Sequence, residues 1–82
     1  MKEMTEQEVR NKVLEVIVSS TETELPVTEQ TELFGDLGLA SVEVFVMLGE
    51  LEDVFDVEIP ASRLGCVRTA KDLCDLVIDL IS

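Results

Sequence analysis

The sequence predicts an all-α fold: a small four-helix bundle of three main helices and one short third helix, with a long loop between helices 1 and 2. Three observations lead there. Apolar residues recur at helical spacing in three separate stretches. Two of those stretches open on a threonine followed three residues later by an acid, the pattern in which side chain and backbone cap each other. The one alternating segment, residues 42–46, has no second strand candidate with which to pair. With 82 residues, 46% of them hydrophobic, the chain is expected to be one domain, 1–82, with a modest core.

The first helix is expected over residues 5–19. Val9, Val13, Val16 and Ile17 recur at helical spacing with Leu14 beside them, and Thr5 with Glu8 marks the start. From residue 20 to 40 the period is lost. Thr21, Thr23, Pro26, Thr28, Thr31, Gly35 and Gly38 are turn formers and helix breakers. An irregular stretch of about twenty residues is long for a compact domain and asks for a functional reason. Leu25, Val27, Leu33, Phe34, Leu37 and Leu39 are spaced through it and are expected to pin it to the core.

Residues 41–55 are ambiguous at the front. Val42, Val44 and Val46 alternate with Glu43 and Phe45, which also suits a strand. Length decides for helix, because Val44, Leu48, Leu51 and Phe55 keep the helical period beyond the reach of an ordinary strand. Ser41 is then the expected N-cap. Gly49 in the helix interior costs about 1 kcal/mol against alanine. A close packing neighbour or a partner surface would justify it.

Pro60 suits the first turn of a short helix, expected over 61–64 and ended by Gly65. The last helix opens at Thr69 with Asp72, and Leu73, Leu76, Val77, Leu80 and Ile81 form its apolar stripe. The interior is expected to combine Val13, Val16 and Ile17 with Leu48, Leu51 and Phe55 and with Ala70, Leu73 and Val77. Phe34, Ile59, Leu64 and Val67 would complete it from the connections. Phe45 and Met47 also read as core residues.

Charge narrows the function. Six basic residues face eighteen acidic ones, a net charge of −12. Such a surface repels nucleic acid and anionic membranes, and it attracts and steers a basic protein partner. No apolar run approaches the length of a membrane span, so no membrane insertion is expected. The segment "MKEMTEQEVR" is polar and acidic, unlike a secretory or transit peptide, which points to a cytoplasmic protein. Cys66 and Cys74, with no histidine in the chain, do not make a metal set. Cys74 falls in the last helix's stripe as a small core residue, Cys66 lies in a connection, and a reduced state is favoured. With no histidine and no paired nucleophile and base, no catalytic residue is expected.

The order of parts, the junction "DLGLAS" at residues 36–41 and the segment "FDVEIP" at 55–60 resemble the acyl carrier proteins and the related carrier domains of polyketide and peptide synthases. The resemblance covers nearly the whole chain. It implies that Ser41 receives a 4'-phosphopantetheine arm from coenzyme A through a phosphopantetheinyl transferase. The arm's thiol would then hold acyl intermediates as thioesters and present them to enzymes of fatty acid, polyketide or related biosynthesis. It further implies a monomer whose Glu43, Glu50 and Asp53 dock onto basic patches of acyl-transferring and synthase enzymes. Val42 and Val46 form a small apolar spot beside the serine that suits a partner contact. In the fatty-acid members the interior opens to shelter the acyl chain. Two alternatives stay open: an aminoacyl or peptidyl carrier, and an unmodified acidic carrier-like adaptor that binds a partner enzyme. One departure stands out. The family usually has Asp-Ser-Leu, and here the residues are Ala40, Ser41 and Val42. Without the acid, recognition by the transferase should change. Restoring it with Ala40→Asp is expected to move stability by no more than about 0.5 kcal/mol, as for a surface substitution.

Overall fold

The computed structural model describes residues 5–24 and 26–81. It contains three α-helices and a 3-10 segment. Helix α1 runs Glu6–Thr21. Its start is the expected reciprocal cap: the Glu8 amide donates to Thr5 Oγ1 at 3.1 Å, and the Thr5 amide donates to Glu8 Oε1 at 2.8 Å. It ends where Glu22 turns into the left-handed region at φ 52° while its amide still reaches the Val18 carbonyl. Helix α2 runs Ser41–Phe55 and α3 runs Ala70–Ile81. The short third helix expected at 61–64 is instead a 3-10 helix over Ala61–Cys66, so Gly65 lies inside it and does not end it. Three α-helices therefore make the bundle, with α1 packed against both α2 and α3.

The core gathers the inward stripes of the helices. Val9, Val13, Val16 and Ile17 of α1 meet Val44, Met47, Leu48, Leu51 and Phe55 of α2 and Ala70, Leu73, Cys74, Leu76 and Val77 of α3. Leu33, Leu39, Ile59 and Val67 close it from the connections. The expected roles of Leu25 and of the Leu64 side chain lie outside the described residues.

Two expected core residues are on the surface. Phe34 is 40% exposed and Phe45 is 49% exposed. Phe34 lies in the turn over residues 33–36, which follows an isolated bridge between Glu32 and Thr69. Thr31 and Leu33 are buried, whereas Phe34, Gly35 and Asp36, on the turn, are exposed. Phe45 follows the buried Val44 by one residue, and roughly 100° of helical turn carries it off the core stripe.

The long loop is tied to the first turn of α3. The Ala70 amide donates to the Thr31 carbonyl at 2.9 Å and the Lys71 amide to the Glu29 carbonyl at 2.8 Å. The Leu33 amide donates to the Arg68 carbonyl at 2.9 Å. A charged clamp reinforces this. The guanidinium of Arg10 on α1 meets Glu29 of the loop at 2.6 Å, Asp75 of α3 at 2.7 Å and Glu6 at 3.0 Å. Hydrogen bonds to Asp75 and then to Glu6 raise the Arg10 pKa above its ordinary value. Among the described residues, no helix is long and apolar enough to cross a membrane.

Candidate functional site

The approach to α2 is shaped by backbone bonds within the loop. The amides of Asp36 and Leu37 both donate to the Glu32 carbonyl, at 2.9 and 3.1 Å, and the Glu32 amide donates to Asp36 Oδ2 at 2.8 Å. Gly38 then takes φ +65°, a left-handed turn that glycine adopts without a side-chain clash. Beyond it Leu39 is buried, and its amide donates to the Leu33 carbonyl at 3.2 Å. These contacts deliver the chain to the helix start at a set position.

That start is one residue earlier than expected. Ala40, at φ −83° and ψ 160°, is the N-cap, and Ser41 is the first helical residue. The Ala40 carbonyl accepts from the Glu43 amide at 3.0 Å and the Val44 amide at 3.2 Å. The Glu43 carboxylate reaches back to accept from the Ala40 amide at 2.9 Å. This is half of a reciprocal cap, because alanine has no side-chain acceptor to return the bond. Ser41 is therefore not the N-cap. It is exposed, and none of the described hydrogen bonds uses its hydroxyl. The amides of Ser41 and Val42, first and second in the helix, also have no acceptor among the described hydrogen bonds. The result is an exposed hydroxyl at the positive end of a helix, beside amides pointing outward.

Every other residue expected to meet a partner is exposed. Val42 is 67% and Val46 60% exposed, and Glu43, Glu50 and Asp53 are exposed as well. Glu50 also accepts from Ser20 Oγ at 2.7 Å, which ties its flank of α2 to α1. Phe45 joins this face. Its spacing carried the signal, since it stands three residues after Val42 and four before Gly49.

The remaining reactive groups are elsewhere. Both cysteines are free thiols, Cys66 exposed and Cys74 buried. Burial, and then the charge of Glu29, push the Cys74 thiol up to about 11, which leaves it protonated at neutral pH. A cleft of about 170 Å³ between the 3-10 segment and α3 is lined by Arg63, Cys66, Val67, Asp72, Asp75 and Leu76, none of them near Ser41 in sequence. It offers no arrangement that bears on the serine. Among the described residues, no group of three or more acidic, cysteine or histidine side chains is placed to hold a metal ion.

Residues 11–77 match the family described as "Phosphopantetheine attachment site". The chain belongs to the acyl carrier protein family. It is 37% identical to the acyl carrier protein of Chlorobium luteolum, covering 84% of this chain and 94% of that one. It is 41% identical to the probable acyl carrier protein of Caulobacter vibrioides over 66% of this chain and 63% of that one. Its fold is similar to the crystal structure of the acyl carrier protein of Thermotoga maritima, with a TM-score of 0.76, 27% identity, and coverage of 99% of this chain and 95% of that one. A putative acyl carrier protein of Mycobacterium tuberculosis aligns with a TM-score of 0.80 and 27% identity over 87% of this chain and 96% of that one. The protein is accordingly a carrier of acyl intermediates and not a catalyst, and it works with the transferase and synthase enzymes that carriers of this family serve. Its cofactor is a covalently attached 4'-phosphopantetheine.

Proposed function

We propose that Ser41 is the residue that carries the 4'-phosphopantetheine arm. The observation that carries this reading is the exposed hydroxyl at the first position of α2, with the unpaired amides of Ser41 and Val42 beside it. A phosphodiester is an anion at neutral pH, and the positive end of a helix with free N–H groups favours an anion. In the loading step Ser41 Oγ attacks the pantetheine-side phosphorus of coenzyme A. A P–O bond to Oγ forms and the anhydride bond breaks. The nucleotide leaves as adenosine 3',5'-bisphosphate, and the hydroxyl proton passes to a base of the phosphopantetheinyl transferase. The bound arm supplies a thiol for thioester formation. This chain's own residues hold the attachment point at the tip of a helix anchored by one buried stripe and surround it with docking groups.

We further read residues 1–82 as one domain, monomeric and cytoplasmic, with the 3-10 segment serving as the short third helix of a four-helix carrier. Glu43, Glu50 and Asp53 would meet basic patches on transferases and synthases, and Val42 and Val46 an apolar contact between those patches. Fatty acyl and polyketide intermediates are the favoured cargo, ahead of aminoacyl groups. The alternative of an unmodified adaptor draws on Ala40, which leaves the serine without a neighbouring acid.

Intact-mass measurement tests the reading. Apo protein incubated with coenzyme A and a broad-specificity phosphopantetheinyl transferase should gain one arm, and Ser41→Ala should gain none. An arm on another serine would move the site. No arm with several transferases would favour the adaptor.

A further inference from the structure

All three α-helices begin with the same bond, from the cap amide to an acid three residues on, and at α2 it is held from one side only. At α1 the Thr5 amide donates to Glu8 Oε1 at 2.8 Å, and at α3 the Thr69 amide donates to Asp72 Oδ2 at 3.1 Å. In both, the threonine hydroxyl accepts the acid's own amide in return, at 3.1 and 3.2 Å, which locks the acid over its cap. At α2 the Ala40 amide donates to Glu43 Oε1 at 2.9 Å, and the alanine side chain returns nothing. Glu43 is exposed and is the acid of the first turn of α2. Asp36, the acid before it in the chain, is engaged in the loop, where it accepts from the Glu32 amide. The Glu43 carboxylate therefore lies against the residue that precedes Ser41, on a bond that nothing reciprocates.

Attachment of the arm at Ser41 adds a second anion to this helix end. The amides of Ser41 and Val42 have no acceptor among the described hydrogen bonds and can serve it. Of the two anions only the carboxylate can leave, because the phosphodiester is fixed to Oγ and Glu43 is an exposed side chain with rotatable bonds. Repulsion between exposed charges at such short range is of the same order as one exposed hydrogen bond. We propose that loading exchanges the cap of α2: Glu43 closes the helix start in the unloaded carrier and is released from the Ala40 amide once the arm is in place. This rests on the attachment at Ser41 given above. Unloaded and loaded carrier then differ in charge and cap beside the serine while the fold stays the same, which gives an enzyme that accepts one form a local difference to read.

Amide hydrogen exchange by NMR on the apo and holo protein tests the exchange of caps, after intact and fragment masses have placed one arm on Ser41. Loading should speed exchange of the Ala40 amide by about threefold or more, the scale of one exposed hydrogen bond, and slow that of Ser41 and Val42. The amides of Thr5 and Thr69, under reciprocal caps, should not move and serve as references. Glu43→Gln keeps an acceptor for the Ala40 amide without the charge, so its Ala40 exchange should be equal in the two forms. In about 1 M salt, where the screening length falls to about 3 Å, the holo-to-apo ratio of the wild type should return toward one. Equal Ala40 exchange in apo and holo wild type at low salt would overturn the proposal. So would a holo Glu43→Gln protein that loses its Ala40 protection as the wild type does, because crowding and not charge would then displace the side chain. An arm on another residue, or no arm, shows in the masses before any exchange is measured; it overturns the attachment reading, and the cap exchange falls with it.

Discussion

Helices α2 and α3 both begin with backbone amides that have no partner inside the helix, and they treat them in opposite ways. At α3 every early amide is taken. Ala70 and Lys71 donate to carbonyls of the long loop, Asp72 donates to Thr69 Oγ1 at 3.2 Å, and Leu73 donates to the Thr69 carbonyl at 3.3 Å. The Asp72 carboxylate in turn accepts from the Thr69 and Arg68 amides at 3.1 and 3.0 Å. At α2 an alanine occupies the cap, and the first two amides stay open beside an exposed serine. The difference teaches where the fold invests in stability and where it keeps a reactive end free. The closed end joins α3, the loop and the Arg10 clamp into one unit, and the open end is left for chemistry.

The comparison can be broken at the open end first, where the largest effect is expected. Ser41→Ala should abolish arm attachment, read as the missing mass increment. Its unfolding free energy should stay within about 0.5 kcal/mol of wild type, because the hydroxyl makes no described hydrogen bond. A loss of 1 kcal/mol or more in urea unfolding would mean that the serine is a structural cap after all.

The closed end should respond in the reverse sense. Thr69→Ala removes the acceptor of the Asp72 amide and should lower stability by about 1–2 kcal/mol, with arm attachment retained. Denaturant midpoints together with intact mass check both halves. If loading fails and stability holds, the two ends have been assigned the wrong way round.

Ala40→Asp sharpens the comparison by closing the open end. The sequence suggested a neutral surface change. The structure puts residue 40 at the N-cap, so an aspartate there can accept from an early amide of α2, and a gain of about 1 kcal/mol is the expected outcome. Thermal unfolding measures it. The same variant should be loaded faster by transferases that serve ordinary fatty-acid carriers, and a slower rate with every transferase would show that the alanine suits this protein's own enzyme.

The smallest effect is in the acid limb. Bonds from the Thr69 amide and then the Arg68 amide hold the Asp72 carboxyl below its usual value of 3.8. A folded-state pKa below the unfolded one contributes stability that is fully present above 3.8 and is lost as pH falls through the lower folded value. The stability difference between wild type and Asp72→Asn should therefore be constant near neutrality and shrink in that acid range. Comparing the two proteins cancels the relief of repulsion that protonation brings to so acidic a chain. A difference independent of pH would rule out the carboxylate as the group that closes this end.

The sequence by itself determined the helix content, the caps of α1 and α3, the inward stripes and the family. The first three follow from spacing within one element, or from a threonine and an acid three residues apart, and need no knowledge of neighbours; the family follows from the resemblance carried by "DLGLAS" and "FDVEIP". Tertiary structure decided the rest. Phe34 turned outward because it lies on the turn over residues 33–36, closed by the bonds from the Asp36 and Leu37 amides to the Glu32 carbonyl, while Leu33 before it is buried. Phe45 turned outward because the place of α1 selects which apolar residues of α2 are covered, and that stripe runs through Val44, Met47, Leu48 and Leu51. The cap fell on Ala40 because the buried Leu39 and its bond to the Leu33 carbonyl fix where the backbone enters the helix, and side-chain preference for serine acts only within that limit. The change of pattern and the cap preference of serine placed Ser41 at the seam as the N-cap, and the anchored loop sets it one residue into the helix, where its hydroxyl is exposed.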